Sequence, residues 1–175
     1  MILEDLNIYN GSFNLDLNDN IDLILEVTNQ VSNMHNRFLF EEESEVLDLM
    51  REVSKMKDIE YYKKLVNERF DTFIKLNRFL LNESDISLLT NIYKIYEDVV
   101  ELCSEFPLSF CHGDMKSPNI FYKNDKEPIF LDWQYIQLNK GISDITFLLT
   151  ESTNFNPLLN DLVLKYYYKK SKIYE

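Results

Sequence analysis

His112-Gly113-Asp114-Met115-Lys116-Ser117-Pro118-Asn119, then Ile120-Phe121-Tyr122, then Ile129-Phe130-Leu131-Asp132-Trp133, is the run that decides how this chain is read. It has the form H-x-D-x-x-x-x-N between short apolar stretches, with a second acid on the later stretch. Phosphoryl transfer from ATP asks for such parts: a carboxylate to orient and deprotonate the attacking hydroxyl, and an amide oxygen with another carboxylate to hold Mg²⁺ on the phosphates. Asp114, Asn119 and Asp132 have the chemistry for those roles.

The spacing has a geometric sense. Phe110 to His112 and Ile120 to Tyr122 read as short strands joined by a tight loop, so Asp114 and Asn119 can face one cavity. Lys123-Asn124-Asp125-Lys126-Glu127 is a polar turn, and Pro128 to Asp132 returns beside Ile120 to Tyr122 as a hairpin, bringing Asp132 level with Asn119. An amide and a carboxylate suit Mg²⁺, a hard cation that keeps several waters. Gly113 and Gly141 fall in and just after the motif of a chain with only 3 glycines and no alanine, which points to backbone angles or close approaches that a side chain would forbid. Gly11 reads as an ordinary turn residue.

Bulk properties bound the rest. At 175 residues, 45% hydrophobic and 27% charged, the chain is long enough for a substantial core and is not composed like a disordered one. A net charge of −12 would repel a nucleic-acid backbone and would attract a cationic small molecule. Cys103 and Cys111 are too few for a disulfide framework, and with His35 and His112 as the only histidines a zinc centre is not expected. The acidic start and the lack of a membrane-length apolar run imply a reduced, cytoplasmic setting with no membrane partner.

Along the chain, Asp19 or Asn20 is set to cap a helix with Ile21, Ile24, Thr28, Val31, His35 and Phe38 on one face. Glu41 to Glu45 reads as a solvated run at a helix start. A further helix spans about 59–81, with Phe70, Phe73, Ile74 and Leu80 among its inward residues, and Ser84 is placed to cap the next, which Pro107 ends. After the hairpin, Asp144 to Thr153 is helical, and Asn156-Pro157 starts a last helix. The fold class is therefore α+β, mostly helical, with a small antiparallel β element carrying the loop.

Ser109 to Ser152 resembles the C-terminal lobe of aminoglycoside phosphotransferase-like and choline-kinase-like small-molecule kinases, the ecdysteroid-kinase-like branch included. The residues that carry the resemblance are His112-Gly113-Asp114, Asn119, Leu131-Asp132-Trp133-Gln134, Gly141 and Asp144, in that order. Met34-His35 is similar to the leucine-histidine pair that ends an earlier family helix, and Met1 to Leu6 looks like the family's hinge strand. The resemblance implies a protein-kinase-like C-terminal lobe over 1–175: a hinge-like strand 1–6, a helical part 19–106, the catalytic loop and hairpin 108–133, and shortened C-terminal helices 141–175.

It further implies ATP and Mg²⁺ as cofactors and a hydroxyl-bearing small molecule as acceptor. Asp114 would be the base, His112 and Gly113 would shape the loop, and Asp144 would anchor the loop backbone, although helix capping would also explain Asp144. Asn119 and Asp132 would hold metal, and Leu3, Glu4, Asp5 and Leu6 would meet the nucleotide. Lys116 reads as a solvated loop lysine and His35 as a satisfied core histidine. If 1–6 is the hinge, the N-terminal lobe with its nucleotide-covering loop and phosphate-binding lysine lies outside this sequence, and a complementary lobe becomes a candidate partner. Two readings stay open: a phosphotransferase lobe, or a truncated, non-catalytic kinase remnant that binds nucleotide or a partner.

Overall fold

The hairpin after the loop forms as the polar turn implies: β4 (Ile120–Lys123) pairs antiparallel with β5 (Glu127–Phe130), Ile120 opposite Phe130 and Lys123 opposite Glu127. Asn124 and Asp125 turn the chain with φ of 53° and 56°, a left-handed pair that short polar side chains tolerate. The computed structural model that shows this describes residues 5–53 and 59–172. On the other side of β4 lies β1 (Gly11–Phe13), in a stretch that reads as turn-rich. Gly11 is thus a strand residue, and a Cβ on it would overlap the Tyr122 carbonyl and the Phe121 ring. A close approach of backbones, invisible in sequence, is what it serves.

The strand before the loop joins a different sheet. β3 (Leu108–Cys111) lies between β2 (Leu39–Phe40) and β6 (Gln137–Asn139), both antiparallel to it. Residues 112–119 therefore leave one three-stranded sheet and enter the other. Among the described residues no larger sheet occurs, and the architecture is the largely helical α+β one that the sequence implies.

α1 (Ile21–Arg37) starts at Asn20, whose side chain accepts from the Leu23 amide. Its buried stripe is Leu23, Ile24, Val27, Thr28, Val31 and His35, so Leu23 and Val27 replace the expected Ile21 and Phe38, which are exposed. Its apolar members Leu23, Ile24, Val27 and Val31 cluster with Ile145, Leu148 and Leu149 of α5 (Ile142–Ser152) and Leu159, Val163 and Tyr167 of α6 (Pro157–Lys170), each aliphatic side chain gaining roughly 1.5–3 kcal/mol from burial. Asn156 caps α6 as its Asn-Pro signal implies. Met115 of the loop, fully buried, is part of the same core.

The chain divides into two compact units, residues 1–55 with 106–175, and residues 56–105. The first also contains α2 (Glu45–Val53), where Ser44 accepts from the Leu47 amide and Leu47 is buried. The second is a hairpin of α3 (Ile59–Asn77) and α4 (Glu83–Ser104). Phe70 stacks on Tyr93 at 4.2 Å, Asn67 donates to Glu97 and Lys63 to Glu101, which sets the helices antiparallel. The cap of α4 is Asn82, in a reciprocal capping box with Asp85, two residues before the expected Ser84. No residue of α4 is fully buried, and Phe73 and Leu80, read as inward, are 48% and 69% exposed. Pairing with the other helix of the hairpin covers one stripe of each, and the apolar pattern is broader than that stripe.

Candidate active site

The loop is held from below by one carboxylate. Asp144, in the first turn of α5 and almost wholly buried, accepts the Gly113 amide on Oδ1 at 2.9 Å and the His112 amide on Oδ2 at 2.7 Å. It reaches the loop rather than the start of its own helix, where Gly141 is the N-cap. Gly113 has φ of +80°, and a Cβ there would overlap the Tyr135 carbonyl, so a tight passage and a left-handed backbone both demand glycine.

His112 ties the loop to the hairpin. Its Nδ1 accepts the Asp114 amide at 3.2 Å, so the ring proton is on Nε2, which donates to the Leu131 carbonyl at 2.7 Å. Trp133 covers that ring at 4.6 Å between centroids, its own Nε1 donating to the Phe130 carbonyl. His112, which follows the last residue of β3, is thus bonded to Leu131, which follows the last residue of β5 in the other sheet.

At the mouth of the loop, Asn119 closes a short 3₁₀ turn, Ser117–Asn119, and donates through Nδ2 to the Asp114 carbonyl at 2.8 Å and to Asp114 Oδ2 at 2.9 Å. With its nitrogen committed, the amide offers Oδ1 to a cation. Lys116 Nζ lies 2.9 Å from Asp114 Oδ1, so this loop lysine, still partly exposed as expected, is also the ion-pair partner of Asp114. The hydrogen bond to Asp114 holds its pKa above the usual lysine value, with partial burial opposing and the charges of Asp114, Glu151 and Asp132 adding to the rise. Three acids thus act on one ammonium at this mouth.

Asp132 follows one residue beyond the expected register: Leu131 donates its amide to the Asn119 carbonyl at 2.9 Å, and Asp132 is next along. Its backbone is left-handed, φ 60° and ψ 59°, and its exposed carboxylate accepts from Gln134 at 3.3 Å. A non-glycine residue in that region is uncommon and costs strain, a condition that clusters at functional sites. Hard oxygens from Asn119 and Asp132 are a donor set that fits Mg²⁺.

The structure therefore brings together His112, Gly113, Asp114, Asn119 and Asp144 by direct hydrogen bonds, with Asp132 at the adjoining strand end. Leu3 and Glu4 lie outside the described residues. Leu6 begins a 3₁₀ turn, Leu6–Ile8, whose neighbour Asp5 accepts the Ile8 amide, in place of the expected hinge strand at those positions. Sequence reasoning also missed what lies behind the loop. His35 Nε2 is 3.1 Å from Asp144 Oδ2, and its Nδ1 is 2.9 Å from the Tyr167 hydroxyl. His35 was legible from its place on α1, whereas nothing in the sequence marks Tyr167.

His35, Cys111 and Asp144 also place ligand atoms within 4.8 Å of one another, all buried. Those atoms are already used, His35 and Asp144 by hydrogen bonds and Cys111 by thiol contacts to the Asn139 and Lys140 carbonyls. Burial pushes the Cys111 pKa well up, with the Asp144 charge adding to it, so the thiol stays protonated.

Comparison with known proteins bears on the family and the fold. The model of the ecdysteroid kinase-like family matches residues 25–171. Among solved structures, the choline kinase LicA from Streptococcus pneumoniae is similar at a TM-score of 0.52 and 15% identity, over 95% of this chain and 54% of that one. A LicA structure in complex with AMP is similar at a TM-score of 0.46 and 14% identity, over 84% of this chain and 44% of that one. At such identity the likeness speaks for the fold, and the chain spans about half the length of the choline kinase. No curated protein matches in sequence.

Proposed function

The chain belongs to the ecdysteroid kinase-like family, and on that premise we propose that it is the catalytic lobe of a phosphotransferase that passes the γ-phosphoryl group of ATP to a hydroxyl of a small molecule. The observation that carries the reading is the Asn119 amide, which bonds the Asp114 carboxylate and its carbonyl at once. The candidate base and a candidate metal ligand are thereby one rigid piece, five residues apart in sequence.

In this reading Asp114 orients the acceptor hydroxyl and takes its proton. Asn119 and Asp132 would hold Mg²⁺, which when bound neutralises charge on the phosphates. Lys116, already beside Asp114, would lend its positive charge near the transferring group. Most of the rate effect would come from positioning and charge rather than covalent chemistry. The acceptor is a hydroxylated molecule, and the net charge of −12 favours one that carries an amine. No glycine-rich loop exists among the described residues, so a complementary nucleotide-covering lobe is part of the proposal.

Calorimetry of ATP with and without Mg²⁺, on this chain and on Asp132→Ala, tests it. Mg²⁺-dependent binding that the substitution abolishes is expected. A folded chain that binds no nucleotide would show that the complementary lobe is essential to the site, leaving this chain either a fragment of the enzyme or a non-catalytic partner-binding module.

A further inference from the structure

Behind the loop, side chains from three helices meet in a line: Tyr167 of α6, His35 of α1 and Asp144 of α5, with the backbone of His112 and Gly113 at its end. We propose that Tyr167 is a positioning residue for the loop that carries Asp114, acting through the ring of His35 and the carboxylate of Asp144. Calling the loop catalytic rests on the function proposed above; the relay itself does not.

The protons can be placed. Asp144 Oδ2 accepts the His112 amide and faces His35 Nε2 at 3.1 Å, and a carboxylate oxygen there requires an N–H, not a lone pair. In the relay we propose, the proton of His35 is on Nε2 alone, and its Nδ1 accepts from the Tyr167 hydroxyl 2.9 Å away. Both residues are fully buried, so no water replaces that donor if it is removed. The phenol therefore holds the ring edge-on to Asp144, and the ring holds the carboxylate aimed at the two loop amides.

Gly141 is built for this contact. It stands at the N-cap of α5 with an ordinary helical φ of −55°, so no backbone angle demands glycine. A Cβ there would instead overlap both the Tyr167 hydroxyl and the His35 ring. Ser109 fixes the same histidine from its backbone side, donating from Oγ to the His35 carbonyl at 2.8 Å. A packing tyrosine would need neither the glycine gap nor an aligned imidazole.

The test needs no nucleotide, so its outcome is separable from that of the kinase reading. In the unaltered chain, ¹⁵N shifts of the imidazoles should show His35 as the Nε2–H tautomer, and an Nδ1–H tautomer or a doubly protonated ring would overturn the proposal. In Tyr167→Phe, which keeps the ring and removes the hydroxyl, amide hydrogen exchange at His112 and Gly113 should quicken by about tenfold relative to amides in the first half of α1. A uniform change across all amides, or none, would make Tyr167 a packing residue and overturn the relay. If Tyr167→Phe does not fold, the tautomer in the unaltered chain still decides.

Discussion

Both oxygens of Asp114 are held on the protein side, Oδ1 by Lys116 and Oδ2 by Asn119, and each keeps a lone pair for a further partner. On the proposed reading that partner is the acceptor hydroxyl, and the neutral isostere would keep the aim while losing the base. Asp114→Asn should cut turnover by about 10²–10⁴-fold with ATP affinity nearly unchanged, read by steady-state kinetics beside calorimetry. Preserved turnover would remove Asp114 from the base role. Burial separates the two thiols. Cys111 is buried with its pKa pushed well up, whereas Cys103 is partly exposed, so iodoacetamide should alkylate Cys103 first in the folded chain, as peptide mass spectrometry would show.

Elements matter here for where they end. Gly113 sits just after β3 at φ +80° with the Tyr135 carbonyl against it, so Gly113→Ala should destabilise the chain by more than about 1 kcal/mol in urea unfolding. Leu148 lies fully buried in the middle of α5, against the α1 and α6 stripes; Leu148→Ala should cost about 2–5 kcal/mol by the same measurement. The end of β5 has a different consequence. Leu131 is held by the Asn119 carbonyl and the His112 ring, and the left-handed turn at Asp132 then leaves the strand with its carboxylate exposed.

At the scale of the molecule, the two units differ in how they are held. The one containing the loop has a core of fully buried side chains from α1, α5, α6 and the hairpin, whereas α4 has none. Local opening is cheapest where few apolar contacts are lost, so amides of α3 and α4 should exchange faster than those of α1 and α6, measured by hydrogen exchange with mass spectrometry. Equal protection would show that the hairpin is stabilised well beyond its own contacts. None of the described helices is long and apolar enough to cross a membrane.

Much of this protein was determined by sequence alone, and the reason is locality. The hairpin follows from its polar turn, though its register lies one residue from the expected one, α1 and α6 start at Asn20 and Asn156 because those side chains reach their own first-turn amides, and the H-x-D-x-x-x-x-N spacing names the loop. Tertiary structure alone decided what depends on residues far apart in the chain. Gly11 and Gly141 are required by backbone or side chains arriving from elsewhere, and Tyr167 reaches His35 across 132 residues. Lys116 turns back on Asp114 through a loop conformation that Asp144, 31 residues beyond Gly113, imposes. Local patterning encodes hydrogen bonds a few residues long; which buried polar groups satisfy one another is settled only when the helices pack.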